Sequence, residues 1–167
     1  MNADDLRAIQ APLKSRYRDD PGTALITLAA HGKLSEGVAC SVETGKALVT
    51  AGLHPASGGS GSLACSGDML LQALVACAGV TISAVATALG IEIRDGSLIA
   101  EGDLDFRGTL GVDRDAPVGF RAIRLKVRLD SDAPAESIDK LMQLSERYCV
   151  VLQTIANGVP VALEVAR

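Results

Sequence analysis

The stretch that decides the fold runs from Ser66 to Gly90 and reads SGDMLLQALVACAGVTISAVATALG. No charged residue stands between Asp68 and Glu92. Apolar residues recur at helical spacing and also fill the remaining faces, which is typical of a buried helix. Ser66 is a favourable N-cap, Asp68 suits the positive end of the helix dipole, and Gly90 is placed to end the helix. The sequence therefore predicts a buried central helix that carries one thiol, Cys77, at its centre.

Composition limits the classes of partner that the chain can have. Its 167 residues suffice for one well-packed domain. A net charge of −4, an aromatic content of 2% and the absence of Trp argue against binding to nucleic acid, carbohydrate or an anionic membrane surface. The central run is long enough to cross a membrane, but it contains Gln72, Thr81 and Ser83 and no basic cluster follows it. The N-terminus, MNADD, does not resemble a signal peptide, so we expect a cytoplasmic protein without a membrane partner.

The four cysteines show no pattern of metal binding. They stand at positions 40, 65, 77 and 149, without a C-x-x-C spacing or a histidine at ligand spacing, which argues against a structural zinc site. The absence of a signal-peptide pattern argues against a framework of secretory disulfides. Cys65 and Cys77 cannot form a disulfide with each other if the helix forms, because its rise separates them by about 15 Å. Cys40 is expected on a strand as a small core residue. A meeting of two other thiols across the fold stays open.

The rest of the chain predicts an α+β domain with segregated layers. An amphipathic helix over 3–17, broken near Pro12, precedes two or three antiparallel strands between Thr23 and Thr50. We expect turns at 32–33 and 44–46, and a glycine-rich connection over 54–68 that lacks a phosphate-binding motif and in which His54 is a loop residue rather than a base. The central helix is followed by strands 91–94, 97–107 and 120–130, a helix from Pro134 to Tyr148, a helical turn from Cys149 to Gly158, and a closing strand over 159–166. We expect one domain over 1–167, with an N-terminal helix within 1–20 and a core over 23–167.

Two segments resemble the OsmC/Ohr family of osmotically induced and organic hydroperoxide resistance proteins. GDMLLQALVACAGVT, residues 67–81, is similar to the family's PGELLLAALAACxxxT helix, and SERYCVVLQTIANGVPV, residues 145–161, is similar to its second cysteine segment, KYCPVxxTL. The resemblance covers roughly residues 23–167, and the separation of the two cysteines suits it. Val150 stands where many family members have proline.

The resemblance implies a fold and a chemistry. The fold would be antiparallel β-sheets wrapped around the long buried helix, in an intertwined homodimer with two active sites at the interface. Cys77 would be the peroxidatic thiol that reduces an organic hydroperoxide and becomes a sulfenic acid, as part of an oxidative stress response. Cys149 would resolve it as a disulfide, which a dithiol such as a lipoyl protein reduces. No metal, flavin or haem is needed.

Cys77 can react as a thiolate only if its surroundings lower its pKa. A thiol in the middle of an apolar helix has a raised pKa and lies too far from the N-terminus of its own helix to gain from the dipole, so a reactive Cys77 should need a cation. In the family an arginine serves, held by a glutamate whose place is taken here by Asp68. Candidate cations are Arg16, Arg18 and Arg147.

Two other functions remain open for the same fold. One is a non-enzymatic protein that binds a small ligand or senses redox state through a disulfide, and the other is a structural interface with an inert Cys77. A cation within reach of Cys77 would favour the enzyme, and a dry, wholly apolar surround would favour the alternatives.

Overall fold

The computed structural model describes residues 2–5, 8, 10–11, 19, 31–35, 39–43, 48–111 and 113–166. Of the expected N-terminal helix, residues 3–5, 8 and 10–11 are helical, and the remainder of that prediction lies outside the described residues. The elements that follow are β1 (His31–Ser35), β2 (Ala39–Glu43), β3 (Leu48–Gly52), a 3₁₀ turn (Pro55–Ser57), β4 (Ala64–Cys65), α1 (Ser66–Leu89), β5 (Asp95–Leu104), α2 (Phe106–Thr109), β6 (Phe120–Asp130), α3 (Ala135–Tyr148) and α4 (Val150–Asn157).

The chain forms two compact units. The first comprises Ala73–Leu98 and the chain from Val127 onward, together with residues 1–7. The second comprises residues 8–72 and Ile99–Lys126. That all of these residues act as one domain stays a prediction.

The second unit contains a four-stranded sheet. β1, β2 and β3 pair antiparallel in sequence order, as expected, and β4 adds to β3 in parallel, with Gly52 opposite Cys65. Cys40 lies on β2, opposite Ala51. The turn expected at 32–33 is wrong, because both residues belong to β1 and their backbone is extended along the ladder with β2. The turn expected at 44–46 lies outside the described residues.

Helix α1 begins and ends where the sequence places it. Gly90 adopts a φ of 69°, and two hydrogen bonds close the helix, from Ile91 N–H to the Ala86 carbonyl at 2.9 Å and from Gly90 N–H to the Thr87 carbonyl at 3.2 Å. This is the Schellman motif, in which a left-handed glycine satisfies the last carbonyls of a helix.

Only one face of α1 is buried within the chain. Its buried residues stand four apart: Leu74, Ala78, Ile82 and Ala86. Elsewhere on the helix Val80 is 72% exposed. Within the part of the chain that the structure describes, the expected burial of α1 on all sides is therefore absent. In length and composition α1 could cross a membrane, but the core helix of a water-soluble protein meets the same criteria.

The core of the first unit lies between α1 and α3. Leu141, with no exposed surface, packs with Ile82 and Ala86. Partly buried side chains surround this cluster: Val85, Ile91, Ile93, Leu98, Val127, Leu129, Ile138 and Met142. The bounds of α3 match the predicted helix, and its apolar side faces the core as expected.

Strands β5 and β6 form a two-stranded sheet. β6 has the bounds that its alternation predicts, with basic side chains on the exposed side; Lys126, for example, pairs with Glu101 at 2.8 Å. The expected strand over 91–94 is wrong, because Ile91 and Ile93 turn into the core cluster directly after α1. β5 also ends before residue 107, because the Asp105 carboxylate accepts a hydrogen bond from Arg107 N–H at 3.1 Å and starts the short helix α2.

Residues 159–166, at the C-terminal end, form neither helix nor strand. α4 ends before Gly158, close to the predicted end, but none of the described strands pairs with residues 159–166. The apolar side chains of this segment are among the most exposed in the chain, at 89% for Val161 and 91% for Leu163. The expected closing strand is therefore wrong for a single copy of the chain, because a strand requires a neighbouring backbone to bond.

Candidate functional site at Cys77 and Cys149

Cys149 lies at the junction of two helices. Its N–H donates to the Ser145 carbonyl at 3.0 Å and completes α3, while its carbonyl accepts from Gln153 N–H at 2.9 Å and starts α4. Its backbone is extended, with φ −73° and ψ 103°, so the chain changes direction between the helices. The side chain of Cys149 is 1% exposed. The reversal brings the first turn of α4 against Cys77 in the middle of α1.

The first turn of α4 supplies hydrogen bonds to the Cys77 sulfur. The donors are the backbone N–H groups of Val150 and Val151. The first N–H groups of any helix lack an acceptor within the helix, and they carry the positive end of its dipole. They are therefore suited to stabilise a thiolate from a neighbouring helix.

The pKa of Cys77 is lowered from the ordinary value of a thiol. Burial is the largest influence and raises it, but four hydrogen bonds together outweigh burial. They come from Val151 N–H, the Cys149 thiol, the Thr81 hydroxyl and Val150 N–H. All four of these groups are uncharged. The lowered pKa of Cys77 is therefore accounted for without a cation.

The pKa of Cys149 moves the opposite way. Burial raises it most, and the hydrogen bond to Cys77 and the negative charge of that sulfur raise it further. Within the pair, Cys77 therefore loses its proton at a lower pH than Cys149 does. Both cysteines are free thiols in this structure.

Thr81 belongs to the site, although we assigned it no role from the sequence. Its hydroxyl donates to the Cys77 carbonyl at 2.8 Å and also lies within hydrogen-bonding reach of the Cys77 sulfur. One proton serves only one of these acceptors at a time. The four-residue spacing from Cys77, one turn of the helix, is the signal that could have identified it.

The structure describes Asp68 and one of the three candidate cations, Arg147. Asp68 lies exposed in the first turn of α1, and no residue that the structure describes forms an ion pair with it. The Arg147 guanidinium lies over the ring of Tyr148, 5.7 Å from its centre. Arg16 and Arg18 lie outside the described residues. The described parts of the chain therefore identify no arginine as the activating cation, and the role of Asp68 stays a prediction.

Two other candidate groups have local structural partners. The Nδ1 atom of His54 accepts a hydrogen bond from Ala56 N–H at 3.1 Å, and its ring stacks on Phe106 with 5.1 Å between ring centres. Cys65 is a half-buried free thiol on β4. Among the described residues no group of three or more metal-ligating side chains lies together.

The sequence matches the model of one protein family. The model of the family described as OsmC-like protein matches residues 59–164, more than half of the chain. A search of curated proteins found no match.

Solved structures share the fold. The OsmC-like protein of Mycoplasma pneumoniae is 19% identical, with a TM-score of 0.67 over 80% of this chain and 89% of that one. An organic hydroperoxide resistance protein, OsmC, from Legionella pneumophila is 17% identical, with a TM-score of 0.61 over 78% and 90%. The organic hydroperoxide resistance protein OhrB of Bacillus subtilis is 18% identical, with a TM-score of 0.54 over 83% and 97%. At these identities the likeness establishes the fold, and together with the family match it shows that the chain belongs to the OsmC-like protein family.

Proposed function

We propose that this protein is a cysteine-based peroxidase that reduces organic hydroperoxides. The observation that carries the proposal is the contact between two free thiols with opposite pKa shifts, Cys77 lowered and Cys149 raised. A nucleophile must be available as thiolate, and a resolving thiol must lie within bonding reach of it. Structures with the same fold include organic hydroperoxide resistance proteins, which gives the proposal its reaction class.

The reaction consumes one peroxide for one disulfide. The Cys77 thiolate attacks the terminal oxygen of the hydroperoxide, breaks the O–O bond and becomes a sulfenic acid, and the alcohol leaves. The Cys149 sulfur then attacks the sulfenic sulfur, forming the disulfide and releasing water. A dithiol reduces the disulfide by two exchange steps and leaves as its own cyclic disulfide. A reducing compartment such as the cytoplasm suits the free thiols of Cys65, Cys77 and Cys149 and a cycle that a thiol regenerates.

Apolar surface around the two cysteines favours an organic peroxide. Val150, directly after Cys149, is exposed, and so is Val80, which lies one turn from Cys77 on α1. An alkyl or aryl group gains free energy by covering such side chains, whereas hydrogen peroxide does not. We therefore propose a substrate with an apolar organic group.

The active unit in this proposal is a homodimer. The exposed apolar residues of α1 and the unpaired C-terminal segment are surfaces that a single copy leaves in water. A second copy would cover them in the manner of an isologous interface. Asp68 would then contribute by orienting an arginine toward Cys77.

The test is consumption of cumene hydroperoxide with a dithiol reductant, either dihydrolipoamide or a lipoyl protein. Wild type should turn over, Cys77→Ser should not, and Cys149→Ser should stop after one equivalent with a sulfenic acid that dimedone traps. Cys65→Ser is the matched control, because it removes a free thiol outside the pair, and it should retain wild-type turnover. Turnover by wild type no greater than by Cys77→Ser, across several dithiols, would reject the peroxidase and favour a ligand-binding or redox-sensing protein.

A further inference from the structure

The leaving group of the proposed reaction needs a proton. Attack of a thiolate on the terminal oxygen of an alkyl hydroperoxide transfers an OH group to sulfur and expels an alkoxide. An alkoxide is a strong base, and its departure is assisted by an acid placed within hydrogen-bonding reach. The groups that carry protons around Cys77 therefore determine how fast the first step can be.

Most donors around the Cys77 sulfur cannot release a proton. The N–H groups of Val150 and Val151 are amides, which hydrogen-bond but do not ionise in this range of pH. The proton of Thr81 is directed at the Cys77 carbonyl at 2.8 Å, and a hydroxyl is a very weak acid. The remaining donor that the structure describes in contact with the sulfur is the thiol of Cys149.

The position of Cys149 suits a proton donor. Its side chain is 1% exposed, so bulk water does not compete for its proton, and its thiol lies within hydrogen-bonding reach of the sulfur where the peroxide reacts. A rotation about the Cβ–Sγ bond can redirect the S–H from that sulfur to an oxygen bound next to it. A thiol is a far stronger acid than an alcohol, so transfer to the alkoxide is downhill.

We propose that the Cys149 thiol donates its proton to the departing alkoxide in the first step, in addition to forming the disulfide in the second. This inference rests on the proposed peroxidase function. In balanced form, the Cys77 thiolate, the Cys149 thiol and ROOH give the Cys77 sulfenic acid, the Cys149 thiolate and ROH. The Cys149 thiolate then displaces hydroxide from the sulfenic sulfur, and one solvent proton converts that hydroxide to water.

The transfer links the two steps. Cys149 becomes a nucleophile only when Cys77 has been oxidised, because only then has it lost its proton. Before that event it stays protonated and stabilises the Cys77 thiolate. The proton of the Cys149 thiol therefore has three roles. It stabilises the Cys77 thiolate before reaction, it protonates the alkoxide in the first step, and its loss makes Cys149 a nucleophile for the second step.

The experiment compares three reagents whose leaving groups differ in their need for a proton. Cumene hydroperoxide expels an alkoxide, peracetic acid expels a carboxylate that needs no proton, and iodoacetamide expels iodide and reports the thiolate of Cys77 alone. Rates of the first step are measured under single-turnover conditions for wild type, Cys149→Ala and Cys149→Ser. Cys65→Ser and Thr81→Val serve as controls.

Cys149→Ala should slow the reaction with cumene hydroperoxide by at least about 10-fold more than the other two reactions, since a positioned general acid contributes about 10²–10⁴-fold. Cys149→Ser retains a similar volume and a weak donor, so its loss should lie between those of Cys149→Ala and wild type. Thr81→Val should slow all three reactions equally, and Cys65→Ser should change none.

Equal losses with all three reagents in both Cys149 variants would overturn the inference, because they would reflect only the population of thiolate. Failure of wild type to react with either peroxide, while iodoacetamide modifies Cys77, would instead reject the peroxidase itself. Circular dichroism of each variant establishes that it is folded, and Cys149→Ser keeps the test decisive if Cys149→Ala unfolds.

Discussion

At Cys77 the backbone of a second helix contributes to the lowered pKa of the thiol, whereas the expected activating cation stays a prediction. Val150 and Val151 direct their N–H groups at the sulfur because Cys149 ends one helix and starts the next. Val150 stands where many relatives of this family have proline, and proline has no N–H. This chain therefore has one more backbone donor to its thiolate than a proline would allow.

The contribution of that N–H can be removed without changing a side chain of the site. Val150→Pro should fold, since proline is favoured at the first position of a helix and the extended backbone of Cys149 is what a following proline requires. Loss of the hydrogen bond should raise the pKa of Cys77 and slow its alkylation by iodoacetamide at pH 7 roughly five-fold, since one hydrogen bond contributes about 1 kcal/mol. Val150→Ala keeps the N–H and is the control. Equal alkylation of both variants across the pH range would show that the N–H does not act on the thiolate.

The two thiols make the stability of the fold depend on pH in opposite directions. The lowered pKa of Cys77 adds stability that is fully present above the ordinary thiol pKa and is lost as pH falls through the lowered value. The raised pKa of Cys149 adds stability that is present below the ordinary thiol pKa and is lost as pH rises through the raised value. The stability of wild type relative to a Cys77→Ser/Cys149→Ser double variant should therefore pass through a maximum near the ordinary thiol pKa. Urea unfolding under reducing conditions, at a series of pH values, measures it, and a difference that is flat with pH would contradict both shifts.

Among the elements, helix α3 depends on a single fully buried side chain. Leu141 has no exposed surface and joins α3 to Ile82 and Ala86 of α1. Leu141→Ala should lower the free energy of unfolding by about 2–5 kcal/mol, because it leaves a cavity in the core of the unit. Gln143→Ala, on the exposed side of the same helix, should change it by no more than about 0.5 kcal/mol. Chemical denaturation measures both, and similar values for the two variants would refute the assigned core.

The sheet of β5 and β6 includes a glycine that cannot acquire a side chain. A Cβ atom at Gly102 would lie 2.6 Å from Cδ1 of Phe120 and closer still to Cε1, which is nearer than non-bonded carbon atoms approach. Gly102→Ala should therefore displace the Phe120 ring and destabilise the protein by about 1–3 kcal/mol. Gly119→Ala is the control, since nothing lies within 4 Å of its Cβ position. A thermal shift no larger than that of the control would mean that the ring adjusts without cost.

The elements that the sequence predicted well are those with local signals. Gly90 ends α1, Pro134 precedes α3, and the alternation of 120–130 defines β6, each through the chemistry of the residues themselves. The strand predicted over 91–94 was wrong. Ile91 and Ile93 alternate with polar residues there because both isoleucines pack into the core, and the segment forms no strand. The cysteine pair was expected from the family resemblance, but the source of the lowered pKa of Cys77 was missed. It depends on where the first turn of α4 lies, which no local pattern encodes.

For the whole molecule, the exposure of apolar side chains supports the proposed homodimer. Val80 is 72% exposed on a helix without a charge between Asp68 and Glu92, and Val161 and Leu163 are almost fully exposed. Charged residues are what normally solubilise such faces, and beyond Asp68 in its first turn α1 has none. In the proposed homodimer a second copy would bury the faces of α1 that the described part of one chain leaves exposed.

A charge on the exposed face of α1 should prevent that assembly. Val80→Asp would place an unpaired carboxylate in an apolar interface, which costs several kcal/mol, so the dimer should dissociate at micromolar concentration. Light scattering after size exclusion gives the mass, with wild type expected as a dimer. Gln143→Asp, which adds the same charge on the exposed side of α3, should leave the dimer intact. A wild type that is monomeric, or a Val80→Asp variant that remains dimeric, would refute this interface.

The alternating row of Val159, Val161, Leu163 and Val165 also has a consequence for how the protein behaves before it finds a partner. Apolar residues at alternate positions would share one side if this segment became a strand, and such a segment is a template for intermolecular β-pairing. Pro160 and Glu164 interrupt it with residues of the gatekeeper type, one lacking an N–H and the other charged. Newly made chains would therefore divide between productive pairing and aggregation, and refolding yield should fall when the C-terminal gatekeepers are replaced by valine.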